Sequence, residues 1–454
     1  MADQGLPNNS APAPVRRSKR LRNKGIPSEV VTRKSSTIDT SSTPRTFSTR
    51  KSQTTGGKKQ TKEAWLLKGV GEKLKSLVAE DITGSSCEVS SAPGFDLLCT
   101  YNWAMLPAPT IYVPGAPSKW RSLDLPLALP LDTGFHFVDQ NAYRSPKFPF
   151  EPIFKALELM NPDANLSTAD LVTNRNSLRH LLGFVQGKVD TFRIDLNTVH
   201  DTLFLTRHEK TTHRTIGARN PSGYGHNFET AFTAPEAGLE SSGHHRVITY
   251  PLGDLNCVVR FEVDAFCDAD DLVPNDETSS AQEPTRGSSE VMNSMANLSI
   301  SKPKRGQGEV KVIQAGRLIP CSALSEVKSK SKRNIPLNQV LAQLWFGRIP
   351  HLFVGQHTDG VFTKIEQTDV GAEFLNWETA QQEHLRKLAQ LISELRDFTK
   401  DAGGQCVLVC DHRVKPLKLE IYVGTARKEV LPKQFIQQYW KDWSATNAAV
   451  AKGG

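Results

Sequence analysis

Residues 256–266 read NCVVRFEVDAF. Cys257, Val259, Phe261, Val263 and Ala265 alternate there with Val258, Arg260, Glu262 and Asp264, the period of two that a β-strand imposes on its faces. The spacing predicts one continuous strand with an apolar face. It also puts the carboxylates of Glu262 and Asp264 on the other face, roughly 6 to 7 Å apart, two strand rises. Two carboxylates so placed can reach one divalent cation or its waters. The polar face of a solvated antiparallel strand has the same pattern, so the stretch alone leaves both readings open. Just upstream, residues 247–250 read as a second strand, and Gly253-Asp254 between the two is a hairpin signal.

Further out, apolar residues recur at helical spacing over 151–160 (EPIFKALELM), 337–346 and 377–399. Alternating or short apolar runs at 352–355, 361–367, 406–410 and 417–423 predict strands. Together they predict an α+β domain over about 63–443, a mixed β-sheet with flanking helices. No segment repeats at a period of 20 to 50 residues.

Charge separates the tail from the body. Of 56 Lys and Arg and 48 Asp and Glu, 14 and 3 fall in residues 1–62, which therefore carry +11 while the rest carries −3. Residues 1–62 hold almost no large apolar side chain and are expected to be a disordered basic tail. Its densest cluster, Arg16 to Lys24 (RRSKRLRNK), reads as a nuclear import signal or a nucleic-acid contact. Nuclear localisation, with room for a cytoplasmic pool besides, is the corresponding expectation. A polar stretch at about 270–307 predicts a disordered insertion, and 444–454 a disordered tail. A body of −3 means that any nucleic-acid function of the folded part must rest on its site rather than on overall charge.

The seven cysteines are odd in number and never form a CxxC pair, so buried thiols of a reducing compartment are expected rather than zinc ligands. No apolar run reaches 18 residues, which predicts no membrane partner. Neither a GxGxxG nor a GxxxxGK[ST] phosphate loop is present. Asp270-Asp271 fails the DDxxD pattern of diphosphate sites because Pro274 stands where the third acid belongs. His244-His245 would point to opposite faces of a strand and read as structural or exposed.

Residues 324–329 (LSEVKS) repeat the paired arrangement, with Glu326 and Lys328 on one face and Val327 on the other. A carboxylate that can hold a cation beside an ammonium that can face a phosphoryl oxygen suits phosphodiester hydrolysis. Glu309-Val310-Lys311 has the same form, and spacing alone does not choose between the two.

Order along the chain adds a resemblance. The segments DLVTNRNSLRHLL (170–182), GHNFE (225–229), EVD (262–264), EVK (326–328) and AQ (342–343) with the following LWFGRIPHLFVG resemble, in sequence and order, the motifs of the decapping exoribonuclease family of the DXO/RAI type. The likeness spans about residues 170–423. The helix directly downstream of Glu326 selects it over Glu309. The resemblance implies a nuclease core of the PD-(D/E)XK sort and a divalent cation, Mg²⁺ or Mn²⁺. Glu229, Asp264, Glu326 and the Val327 carbonyl would be ligands, with Glu262 acting through a bound water. Lys328 and Gln343 would touch the scissile phosphate or the attacking water, and Arg175 the RNA phosphates. Hydrolysis at RNA 5′ ends, with or without 5′-to-3′ degradation, is the implied activity. A non-catalytic relative that stabilises a partner 5′-to-3′ exoribonuclease is the alternative, and a DNA-directed nuclease a third reading. His226 replaces an aromatic of the family pattern, and Asn174-Arg175-Asn176 replaces a Trp-Arg-Gly context.

Overall fold

The hairpin predicted around Gly253-Asp254 forms the centre of the fold: two antiparallel strands run from the pair Leu252 and Leu255 out to His244 and Val263. The structure, a computed structural model, describes residues 64–217, 222–272, 308–331, 337–425 and 429–441. Residues 1–62, nearly all of the 270–307 insertion and the 444–454 tail lie outside the described residues.

In chain order the described strands are β1 (Val70–Val78), β2 (Asp96–Ala104), β3 (Thr110–Gly115), β4 (Ser118–Trp120), β5 (Leu127–Ala128), β6 (Gly134–Phe137), β7 (Leu171–Asn174), β8 (Phe192–Val199), β9 (Thr202–His208) and β10 (His213–Ile216). They continue with β11 (Thr233–Ala234), β12 (Ser241–Leu252), β13 (Leu255–Val263), β14 (Ala265–Phe266), β15 (Lys311–Gly316), β16 (Leu324–Ser331), β17 (His351–Thr358), β18 (Val361–Asp369), β19 (Gln405–Cys410) and β20 (Lys418–Gly424). The helices are α1 (Gln140–Arg144), α2 (Glu151–Met160), α3 (Arg175–Val185), α4 (Gly225–Phe232), α5 (Leu337–Gly347), α6 (Phe374–Asp401) and α7 (Lys433–Tyr439). The architecture is α+β, as the periodicities predict.

Eleven strands form one mixed sheet in the order β1-β20-β19-β8-β9-β7-β13-β12-β2-β3-β15, and seven form a second in the order β11-β4-β14-β16-β17-β18-β5. In the larger sheet β13 lies between β12, antiparallel, and β7, parallel. Cys257, Val259, Phe261 and Val263 point into a core shared with Leu178 and Leu182 of α3, Leu344 and Trp345 of α5 and Leu388 of α6. On the opposite face Val258 packs with Phe150, Phe154 of α2 and Tyr439 of α7. Both faces are therefore covered, and the expected polar face is not a solvated one. Arg260 on it is 2% exposed, its guanidinium over the Phe150 ring. On the smaller sheet, Phe228 and Phe232 of α4 pack with Trp120, Val327 and Phe353.

The strand expected to run unbroken to Phe266 instead ends at Val263 and resumes as β14 in the smaller sheet. Asp264 lies between the two and belongs to neither strand. Its carboxylate accepts the Val327 N–H of β16 at 3.0 Å, while Ala265 pairs with Ser325. The chain changes sheets at Asp264 because these partners on β16 hold it there. No described helix is long and apolar enough to cross a membrane.

Candidate active site

The change of sheets brings the predicted acids together. Glu262 closes the edge of β13, Asp264 sits at the crossing, and Glu326 and Lys328 project from β16, which pairs with β14 and β17. Glu229 comes from the last turns of α4, packed against β16 through Phe228 and Val327. Gln343 comes from α5 and donates to Glu326 Oε1. Arg175, the first residue of α3, donates from Nη1 to Glu326 Oε2 at 3.5 Å and lies over the Phe261 ring. Lys328 Nζ bridges the acids, donating to Glu326 Oε1 and, at 3.4 Å, to Asp264 Oδ2. Val327 reaches the cluster through its N–H. Glu309, the rival, is 65% exposed and pairs instead with Lys155 of α2.

The electrostatics divide the four acids. Glu229 is pushed well above the ordinary glutamate value by burial and then by Asp264 and Glu262. Glu262, exposed on the cleft side but enclosed by protein elsewhere, is raised to about 7 by that enclosure and by Asp264. Asp264 is raised by burial and by Glu326, against the pull of Lys328 and the Val327 N–H. Glu326, 1% exposed, is the exception. Burial works against its ionisation, but Lys328 and then Arg175 outweigh it and hold its pKa low. Burial opposes the Lys328 charge too, and the Asp264 and Glu326 carboxylates override it, raising Lys328.

Three acids raised by burial and then by neighbouring carboxylates mark a place short of positive charge. All four offer the hard oxygen donors that suit Mg²⁺ or Mn²⁺. Among the described residues, no three His, Cys, Asp or Glu side chains are gathered as a ready metal cluster. Lys328 stands between Asp264 and Glu326 in this arrangement. The donor chemistry fits a hard divalent cation.

Beside Glu262 opens a cavity of about 190 Å³, of whose lining sequence reasoning had singled out Arg175 and Glu262 as site residues. It is lined by Arg175, Arg179, Arg207, Arg260, His245 and Glu262, with Asp139 and Gln140 on α1's side. Two of these follow from spacing: Arg179 is one helical turn beyond Arg175, and Arg260 shares the strand face of Glu262. Arg207 and Gln140 carry no such signal. Both histidines of the 244–245 pair are buried. His244 Nδ1 lies 2.6 Å from Asn102 Oδ1, a structural role, whereas His245 lines the cavity. Gly243, with φ of +106°, lies so close that a Cβ there would stand 2.6 Å from Glu262 Oε1, so the backbone itself walls this side.

A family model described as Domain of unknown function (DUF8563) matches residues 73–440. No curated protein matches the chain. Among solved structures, Scheffersomyces stipitis Rai1 in complex with (3′-NADP)⁺ and calcium ion is similar over 81% of this chain and 100% of that chain, with 12% identity and a TM-score of 0.51. Candida albicans Rai1 in complex with pU5-Mn²⁺ is similar over 81% and 99%, with 12% identity and a TM-score of 0.48. S. pombe Rai1 in complex with 3′-FADP is similar over 77% and 99%, with 12% identity and a TM-score of 0.48. At such identity the likeness is one of fold, and the resemblance to the DXO/RAI type holds at that level. With most of its length matched, the chain belongs to the family described as Domain of unknown function (DUF8563) and carries the mixed α+β fold of Rai1.

Proposed function

We propose that this protein is a divalent-metal-dependent hydrolase of RNA 5′ ends, acting by decapping or pyrophosphohydrolysis in RNA quality control. The observation that carries the reading is the convergence of Glu229, Glu262, Asp264 and Glu326 with Lys328 where the chain changes sheets, next to an arginine-lined cavity. Glu229, Asp264 and Glu326, with the Val327 carbonyl, would hold Mg²⁺ or Mn²⁺, which when bound supplies Lewis acidity and a more acidic water. Glu262, titrating near neutrality, is suited to taking a proton from water at physiological pH. Lys328 would face a phosphoryl oxygen and stabilise charge developing there, while Gln343 holds Glu326 in place and can donate to the attacking water. Arg175 keeps the RNA phosphates in line with the acids. The Arg16–Lys24 cluster supports a nuclear address for the same protein.

The test incubates purified protein with 5′-triphosphate, capped and 5′-monophosphate RNAs, each with Mn²⁺ or with EDTA. Mn²⁺-dependent release from at least one end is expected. Asp264→Asn should cut it by several orders of magnitude and remove any Mn²⁺-induced rise in melting temperature. Glu309→Gln should change neither. Absence of metal-dependent hydrolysis and of metal stabilisation in the wild type would favour the non-catalytic alternative, a relative that stabilises a 5′-to-3′ exoribonuclease.

A further inference from the structure

We propose that Cys321 is an oxidation site, a thiol placed to react with hydrogen peroxide and to seat the resulting sulfenate on the side-on fork of the buried Arg246 guanidinium. The inference is independent of the hydrolase reading above, since neither residue belongs to the acid cluster.

Cys87 and Cys321 are half-buried, and the other five cysteines are buried. Burial pushes the thiols of Cys99, Cys257, Cys267, Cys406 and Cys410 up, away from the thiolate that is the reactive form. Surroundings separate the remaining two. Cys87 Sγ donates to the Glu88 carbonyl at 3.7 Å, and among the described residues no Lys or Arg is hydrogen-bonded to it. Cys321 opens the short turn Cys321–Ala323 that leads into β16, and Arg246 Nη2 donates to its sulfur at 3.2 Å.

Arg246, on β12, is 1% exposed. A charge so enclosed is normally paired, yet among the described residues no carboxylate meets this guanidinium. Its Nη1 donates to the Ile319 carbonyl at 2.9 Å, and its Nε has no partner. His244, two residues earlier on the same strand face, supplies no negative charge: burial and then Arg246 hold its pKa well below the usual histidine value. Burial lowers Arg246 as well, and Cys321 pulls it back. Arginine beside a part-exposed sulfur is the setting in which thiols react as thiolates.

The orphaned Nε identifies the product. In a guanidinium the Nε–H and the adjacent Nη2–H point the same way, as a fork that takes two acceptor atoms side by side. A thiolate offers one atom, which meets Nη2. A sulfenate offers sulfur and oxygen, and the oxygen would reach Nε. The buried donor is then satisfied, as buried donors normally are.

In the reaction the thiolate sulfur attacks one peroxide oxygen, and the sulfur–oxygen bond forms as the oxygen–oxygen bond breaks. The electron pair leaves with hydroxide, which takes a proton from solvent and becomes water. Sulfur is oxidised and peroxide reduced by the same electron pair. The modified residue lies on the segment that joins β15 of the larger sheet to β16 of the smaller, the strand of Glu326 and Lys328.

The test treats the full chain with hydrogen peroxide in the presence of dimedone, which traps sulfenates, and maps the adducts by peptide mass. Cys321 is expected to be labelled about tenfold faster than Cys87 in the folded protein, with the difference lost in urea, where Arg246 no longer meets the sulfur. Arg246→Met, of similar bulk and without charge, should bring Cys321 down to the rate of Cys87; if that variant does not fold, the comparison of folded and urea-treated wild type decides. Without dimedone, peroxide should raise the melting temperature of the wild type and leave that of Cys321→Ser unchanged. Equal labelling of the two cysteines in the folded chain, a difference that persists in urea, or a folded Arg246→Met labelled as fast as wild type overturns the oxidation site. A wild-type melting temperature that peroxide does not raise overturns the seat on the fork.

Discussion

Glu262 and Glu326 carry the same chemical group and stand on opposite sides of the ordinary glutamate pKa, because burial and then Asp264 raise the first, whereas Lys328 and then Arg175 outweigh burial at the second. In the folded protein Glu262 keeps its proton up to about 7, whereas in the unfolded chain it titrates near the usual value of about 4.3. A raised carboxyl pKa contributes stability that is fully present below the unfolded value and is lost as pH rises through the folded one. Without metal, Glu262→Gln should therefore melt above wild type at pH 8, and the gap should close toward pH 5. Water on its exposed side screens the effect, so the expected shift is small, on the order of 1–2 °C. A gap that instead widens on acidification, in melts from pH 5 to 8, would contradict the assigned environment. Glu326 has the opposite sign: its pairing stabilises above the ordinary glutamate pKa and is lost as pH falls.

Among the elements, α4 carries Glu229, and its seat on the smaller sheet depends on one missing side chain. A Cβ on Gly355 of β17 would lie 2.3 Å from the Phe228 ring, which is fully buried and stacked on Phe362. The ring has nowhere to retreat, so Gly355→Ala must push α4 outward. Overpacking of this kind costs about 1–3 kcal/mol, and a misplacement of about 1 Å costs on the order of 100-fold in rate. A lower melting temperature together with at least a tenfold loss of hydrolysis is expected. Full activity at a lowered melting temperature would mean that Glu229 is positioned by something else. Elements whose own residues dictate their period were legible in the sequence. Residues 151–160 form α2 as expected, and the strands around Gly253-Asp254 pair as expected. α6 begins three residues earlier than the apolar spacing indicates. The break at Asp264 was not legible, since the alternation runs through it undisturbed and only the distant Val327 N–H decides where the chain turns. The acids were legible because order along the chain preserves them. The arginine cavity was legible only in part: Arg179 and Arg260 follow from their spacing to Arg175 and Glu262, whereas Gln140, Arg207 and His245 come from separate elements with no shared spacing.

For the whole molecule, the governing fact is the division of charge, +11 in residues 1–62 against −3 in the remainder. Specific recognition would come from the site, and salt-sensitive affinity for any RNA from the basic segment, since each phosphate contact released by salt adds about 0.7 to 0.9 to the slope of log K against log salt. Deleting residues 1–62 should flatten that slope, leave turnover and the melting temperature nearly unchanged, and shift the protein out of the nucleus. Binding isotherms at several salt concentrations, a thermal melt and imaging of the truncated chain check the three parts; a lost melting transition would show that the segment contributes to the fold. The crossing at Asp264 has a consequence of its own at this scale. Glu262 and Glu326 belong to two different sheets, and the chain passes from one sheet to the other at Asp264, so the spacing of Glu262 from Glu326 gauges how tightly one sheet sits on the other. Slackening between the sheets would spread the acids while each sheet kept its own hydrogen bonds. Such slackening acts as a thermal fuse, and on warming the proposed hydrolysis is expected to fade at temperatures where the secondary structure still stands.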